Sequence, residues 1–226
     1  MPKNLVIIPT YNEKENIESI LKSVFVLQPQ FDVLVVDDNS PDKTADIVRS
    51  LQKQFPDRLF LEVRKVKDGL GRAYVHGFQW AIKNNYDFIF EMDADFSHNP
   101  NDLPILLQTL QTKADMVIGS RYLTGVNVVN WPMNRVLLSY FASKYVRFIT
   151  RLPIHDSTAG FVGYRSEVLK DLDLSKIRFK GYGFQIEMKY RTWVKGYRLI
   201  EVPIIFTNRV LGESKISSNT VSYTHL

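Results

Sequence analysis

Asp93 and Asp95 stand two residues apart at the end of an apolar run, Phe88-Ile89-Phe90-Glu91-Met92, and the turn residues Ser97, Asn99 and Pro100 follow. A buried strand over 88–92 puts both carboxylates at its C-terminal end, where open α/β sheets bind their ligands. Two carboxylates so close repel each other unless a cation accompanies them. A hard divalent cation, Mg2+ or Mn2+, bridging to substrate phosphates suits that donor set. The competing reading is an Asx-type turn after a strand, with no ligand. Asp37 and Asp38 end another apolar run, Phe31–Val36, and read as a cap and a turn or as a second wall of the same site.

The elements that would position these residues follow from periodicity. Leu5–Ile8, Phe31–Val36, Arg58–Val63, Phe88–Met92 and Met116–Gly119 are short, mostly apolar segments that read as strands. Between them lie helical spacings: Ile17, Ile20, Leu21 and Val24 with Asn12 as N-cap, then Ala45, Ile47, Val48 and Leu51 with Ser40 as cap and Pro41 at the first position. A third helix opens at Gly69-Leu70-Gly71 and a fourth spans Leu103–Leu110. Alternating strands and helices predict an α/β fold, a mostly parallel sheet with helices on both faces. The loops after the first, second and fourth strands then share one edge of that sheet. Beyond Gly119 the rhythm changes. The pattern predicts an aromatic and basic helix over 135–149, a strand over 161–164, a helix over 183–194 and extended segments at 199–202 and 204–206.

Bulk composition narrows the classes. The chain has 226 residues, 45% of them hydrophobic, which suffices for a sizeable core. Its net charge of +5 suits an anionic ligand or membrane surface, and no dense Lys/Arg run marks a nucleic-acid partner. Cysteine is absent, which removes disulfides and thiolate metal sites and fits a cytoplasmic setting. No apolar run is long enough to span a bilayer or to form a signal-peptide core. The loop after the first strand, Pro9-Thr10-Tyr11-Asn12-Glu13, lacks glycine, so a dinucleotide-binding fingerprint is excluded there. Gly69-x-Gly71 reads as a tight turn before a helix.

Seven segments in order carry a resemblance. Pro9–Glu13, Val36-Asp-Asp-Asn-Ser-Pro-Asp42, Gly69-Leu-Gly71 with Ala73, and Met92-Asp-Ala-Asp95 resemble the inverting family 2 glycosyltransferases, whose Rossmann-like nucleotide-sugar domain is called GT-A. Ser120-Arg121-Tyr122 with Asp156-Ser-Thr-Ala-Gly-Phe161, Lys180–Met188, and Arg209-Val-Leu-Gly-Glu-Ser-Lys215 are similar to the dolichol-phosphate (polyprenol-phosphate) mannose synthase branch. The resemblance implies one GT-A domain over 1–216 and leaves 217–226 as a polar tail, a truncation or a foreign end, with a missing membrane anchor left open.

The resemblance also implies roles. Pro9, Tyr11, Glu13, Val36 and Asp38 would contact the nucleotide, Tyr11 stacking on the base and Asp38 accepting from its edge. Asp93 and Ala94 would line the ribose and diphosphate. Asp95 would bind Mg2+ or Mn2+, with Ser97 as a second metal contact where many relatives have Gln. Arg121, Lys180, Arg209 and Lys215 would contact phosphates, with Arg135 as a further cation; Asp95 and Arg121 are the residues expected to carry catalysis. The implied reaction moves mannose from GDP-mannose to a polyprenyl phosphate at the cytoplasmic face of a membrane. Another nucleotide sugar such as UDP-glucose, or a non-catalytic binding subunit, are the alternatives. His98 and His155 have no partner at metal-ligand spacing and read as structural. Glu187 reads as a satisfied carboxylate, and Arg121 alone would equally suit a surface cation. The 135–149 helix suits either core packing or an anionic lipid surface.

Overall fold

A computed structural model describes residues 2–209 of the chain; the predicted phosphate contact Lys215 and the tail lie outside the described residues. The elements run β1 (Asn4–Thr10), α1 (Ile17–Phe25), β2 (Asp32–Asp37), α2 (Thr44–Gln52), β3 (Leu59–Val63), α3 (Leu70–Lys83), β4 (Phe88–Glu91), α4 (Leu103–Thr112) and β5 (Met116–Ser120). They continue with β6 (Val128–Val129), α5 (Met133–Thr150), β7 (Val162–Arg165), α6 (Ser166–Asp171), α7 (Tyr182–Val194), β8 (Leu199–Pro203) and β9 (Phe206–Thr207).

Seven strands form one sheet in the order β3-β2-β1-β4-β7-β5-β8. All neighbours pair parallel except β7, which runs antiparallel to both β4 and β5. The reversal has a topological cause. β5 ends at the loop edge, the chain stays there through α5, and its next strand must run back down the sheet. The centre of β1, Leu5–Pro9, is apolar because both faces are covered. Val6 and Ile8 enter a core beneath α1, α2 and α4, while Leu5 and Ile7 enter a second core beneath α3, α6 and α7. The chain leaves β1 toward β2 and β3 and later returns to β4 on its other side, so the loops after β1 and β4 flank a topological switch point.

Two helix starts differ from the sequence reading. Asn12 does not cap α1: it is left-handed (φ 57°), and the helix begins at Ile17 after Asn16. The Asn12 amide instead donates to Ser40 Oγ (3.0 Å), tying the β1 loop to the β2 loop. Ser40 in turn donates to Asp37 Oδ2 (2.6 Å), so it closes a turn rather than capping α2, which begins at Thr44. Asp42 Oδ1 accepts from the Thr44 amide (3.0 Å) in its place. Gly69-x-Gly71 opens α3 directly, without a separate turn: Gly69 is the N-cap with φ 91°, and Gly71 lies in the first helical turn, where close packing requires glycine. A Cβ on Gly71 would stand 2.8 Å from the Phe179 carbonyl oxygen, and the Gly71 amide donates to the Lys180 carbonyl (2.9 Å).

Candidate active site

The β2 end is built around two carboxylates with separate duties. Asp37 is fully buried and accepts from Thr10 Oγ1 (2.7 Å), the Ser40 amide (2.8 Å) and Ser40 Oγ. Asp38 is held by Arg64 in a bidentate pair (Nε 2.6 Å, Nη2 2.8 Å), a geometry that fixes its carboxylate plane. Thr10 O accepts from the Asp38 amide (3.0 Å), so the β1 and β2 loops form one wall. On it, the Tyr11 ring lies beneath the Lys67 ammonium at 3.9 Å, and buried Glu13 accepts from Asn16 Nδ2 (3.1 Å). Pro9 is half-buried, whereas Val36 is fully enclosed in the second core, so Val36 supports this wall from behind and does not line it.

The β4 end carries the D-x-D pair. Asp95 is buried; its Oδ1 accepts from the Ser97 amide (3.0 Å) and its Oδ2 meets Arg209 Nη2 (2.7 Å). Burial in the cleft and the neighbouring Asp95 charge raise the Asp93 carboxyl above the ordinary range, with Arg209 pulling the other way. Ala94 between them is buried. His98 is structural, as read, but it also serves the site. Its Nδ1 accepts from the Asp93 amide (3.1 Å), which assigns the proton to Nε2, and its ring stacks on Phe161 at 4.9 Å. Burial lowers its pKa to about 4, so the ring is neutral.

Among the described residues, no three His, Cys, Asp or Glu side chains converge on a metal position. The donor set nonetheless fits a cation that keeps waters and phosphates as its other ligands. Among the described residues the buried Ser97 Oγ has no hydrogen-bond partner, an orphan that a metal or its water would satisfy.

The third wall brings the predicted cations. The β9 ribbon pairs with β6, and the Thr207 amide donates to the Ser97 carbonyl (3.3 Å), which delivers Arg209 onto Asp95. Arg135 stacks on Trp131 (3.9 Å) and donates to Asn208 Oδ1 (3.3 Å) beside it. Arg121 is buried, which rules out the surface-cation reading. It grips the fully buried Asp156 through Nε (2.7 Å) and Nη2 (2.6 Å), donates to Thr158 Oγ1 (2.8 Å), and shares the Phe206 ring with His98 and Trp131. Lys180 pairs with Asp68, two residues before α3. Glu187 is satisfied as read, accepting from the Arg178 (2.9 Å) and Phe179 (3.0 Å) amides and so shaping the loop that carries Lys180.

The loops after β1, β2 and β4 thus bring carboxylates to the switch point, with the Arg209 guanidinium on Asp95 and the buried Arg121–Asp156 pair in the adjoining wall. A family model described as glycosyl transferase family 2 matches residues 5–173. The chain belongs to the family 2 glycosyltransferases. It is 47% identical over 219 residues to the polyprenol monophosphomannose synthase of Mycolicibacterium smegmatis, covering 97% of this chain and 83% of that protein. It is 48% identical over 217 residues to the undecaprenyl-phosphate mannosyltransferase of Micrococcus luteus, covering 96% and 88%. Among solved structures it resembles glucosyl-3-phosphoglycerate synthase from Mycobacterium tuberculosis in complex with Mn2+ and UDP-glucose, with a TM-score of 0.69 at 18% identity, covering 98% and 74%; that likeness shows the GT-A fold.

Sequence reasoning assigned no role to several residues that hold this transferase's site. Arg64 has no motif around it. Asp156 lay inside a quoted segment, yet only the fold reveals that it pairs with Arg121 thirty-five residues earlier. Glu91 and Lys189 left one signal each: a lone charge among Phe88, Ile89, Phe90 and Met92, and a lysine directly after the core residue Met188.

Proposed function

We propose that this transferase moves mannose from GDP-mannose to a polyprenyl phosphate with inversion at the anomeric carbon, as a peripheral enzyme on the cytoplasmic face of a membrane. The observation that carries the reading is the meeting of Asp95, the orphaned Ser97 hydroxyl and Arg209 at the switch point, with Arg121 beside them. The relatives' names join mannose to a polyprenyl phosphate, which supports the substrate pair. Asp38, held open by Arg64, is an acceptor for the donor edge of guanine, and Tyr11 offers a stacking face. An acceptor phosphate oxygen forms the new bond to sugar C1 from the face opposite the diphosphate. The C1–O bond to the diphosphate breaks, and GDP leaves with the electron pair. The attacking phosphate is already ionised near neutral pH (second pKa about 6), so no general base is needed. Asp95 and Ser97 would hold a divalent cation there, which would supply Lewis-acid stabilisation to the departing diphosphate. Arg209 and Lys180 are placed in this reading as further diphosphate cations, and Arg121 with Lys215 as the clamp on the acceptor phosphate.

The test is transfer of label from GDP-mannose into the organic phase with Mg2+ and a short polyprenyl phosphate, against an EDTA control. Metal-dependent label in lipid is the expected result. Label from UDP-glucose instead would overturn the donor, and binding of GDP without turnover on any donor would favour a binding subunit.

Membrane contact rests on α5. Only Ser143 of that helix is buried, while Phe141, Tyr145, Phe148 (81% exposed) and Ile149 stand in solvent beside Lys144 and Arg147. Apolar and basic residues sharing one exposed helix suit an interfacial position on anionic lipid. Replacing Lys144 and Arg147 together by Gln is expected to weaken binding to phosphatidylserine-containing vesicles about 30-fold, from about 1 kcal/mol per basic residue. Co-sedimentation unchanged by the pair of substitutions would remove α5 from the membrane surface.

A further inference from the structure

The turn 155–160, which carries Asp156, is held from two sides by residues that have no place in the reaction itself. From β8, Glu201 Oε1 accepts from the Asp156 amide (2.9 Å), and Oε2 accepts from the His155 amide (2.8 Å) and meets His155 Nδ1 (2.8 Å). β8 pairs with β5 with Glu201 opposite Ile118, so the strand that delivers Arg121 also positions this carboxylate. From α7, the fully buried Lys189 donates through Nζ to the Ala159 carbonyl (2.7 Å). Lys189 is steadied by Gln185 Oε1 (3.1 Å) and the Gln185 carbonyl (3.3 Å). The Gln185 amide nitrogen donates to Glu91, which also accepts from Tyr164 Oη (2.7 Å). A continuous line of hydrogen bonds therefore runs from the last residue of β4, two before Asp93, to the turn that aims Arg121.

Stability alone does not explain this line. Burying a lysine and a carboxylate costs several kcal/mol per ion, and well-packed apolar replacements of such groups are commonly neutral or stabilising. What an apolar residue cannot do is fix a backbone carbonyl and two amides at set positions.

We propose that Lys189 and Glu201 are positioning residues that clamp the 155–160 turn from opposite sides and so set the Asp156 carboxylate that aims Arg121 at the acceptor phosphate. The inference rests on the reading of Arg121 as an acceptor-side cation. A clamp on that side affects capture and alignment of the acceptor and leaves the nucleotide wall of Tyr11, Glu13 and Asp38 untouched.

The test uses the full chain with GDP-mannose and a short polyprenyl phosphate and compares KM for each substrate, kcat and the melting temperature. Glu201→Gln withdraws one of the two acceptors from the turn. The double variant Glu91→Gln with Lys189→Met removes both buried charges together and leaves Ala159 without its donor. In both, the acceptor KM is expected to rise or kcat to fall, by about 10- to 100-fold as for an ångström-scale misplacement, with the donor KM and GDP affinity within about twofold of wild type. Parameters unchanged in folded variants would overturn the proposal, as would equal losses for donor and acceptor that track a lower melting temperature. If the double variant does not fold, Glu201→Gln decides alone. Arg121→Gln separates the two failures. An unchanged acceptor KM there overturns the role of Arg121, whereas a raised one beside a silent Glu201→Gln overturns only the clamp.

Discussion

Asp95→Asn is expected to lower transfer at least about 1,000-fold, equivalent to about 4 kcal/mol of transition-state stabilisation, while leaving the fold intact. The asymmetry follows from what each carboxylate oxygen does. Oδ1 accepts from the Ser97 amide, a bond that an asparagine carbonyl oxygen preserves, so the turn 95–97 keeps its shape. Oδ2 meets Arg209, and its negative charge is what would hold a divalent cation on the proposed reading. An amide is neutral, and its NH2 group turned toward Arg209 would present donor to donor. On the proposed reading other residues hold the nucleoside, so GDP alone is expected still to bind, with no strengthening by Mg2+. Titrating GDP with and without Mg2+ checks this apart from turnover. Wild-type turnover in the variant, or an undiminished Mg2+ effect, would remove Asp95 from the metal role.

The parts of this molecule visible in the sequence are those with local causes. The centre of β1, Leu5–Ile8, is an unbroken apolar run because both its faces are buried, and composition alone reveals that. Asp93 and Asp95 were legible because a strand must end where its apolar run ends. Helix starts were less so: Ser40-Pro41 has the composition of a cap, yet Asp37 on β2 captures the Ser40 hydroxyl and delays α2 to Thr44. The contact that decides lies outside the helix and its flanks. The antiparallel direction of β7 is likewise set by where α5 leaves the chain, not by any residue of Val162–Arg165. The ribbon of β6 and β9 is only two residues long on each side, too short for a period, although it delivers Arg209 to Asp95. Partners such as Arg121 with Asp156, or Arg64 with Asp38, are products of tertiary contact, and neither residue type nor spacing announces them.

That dependence on a distant partner makes Asp156→Ala the most damaging single change expected for the fold. Asp156 is fully buried and gives both oxygens to the buried Arg121 guanidinium, whose other neighbours include the Tyr122, Trp131 and Phe206 rings. Removing the carboxylate leaves a guanidinium charge in an apolar setting, which costs about 3–5 kcal/mol and lowers the melting temperature by about 6–20 °C for a chain of this size. The pH dependence has a defined sign. Burial alone would raise the Asp156 carboxyl, but the Arg121 charge and its hydrogen bonds outweigh burial and hold it below its ordinary 3.8. A carboxyl depressed in the folded state stabilises the protein above its unfolded pKa and loses that contribution as pH falls through the folded value. The gap between wild type and Asp156→Ala should therefore be full at neutral pH and close in acid below 3.8. The double variant Asp156→Leu with Arg121→Met replaces the pair by apolar side chains of similar volume and should regain most of the lost stability. It should not regain transfer if Arg121 is the acceptor-phosphate cation proposed above. Recovery of melting temperature without recovery of turnover would assign the buried pair to function. Recovery of both would make it packing alone, and a wild-type melt for Asp156→Ala would show that Arg121 does not depend on this carboxylate.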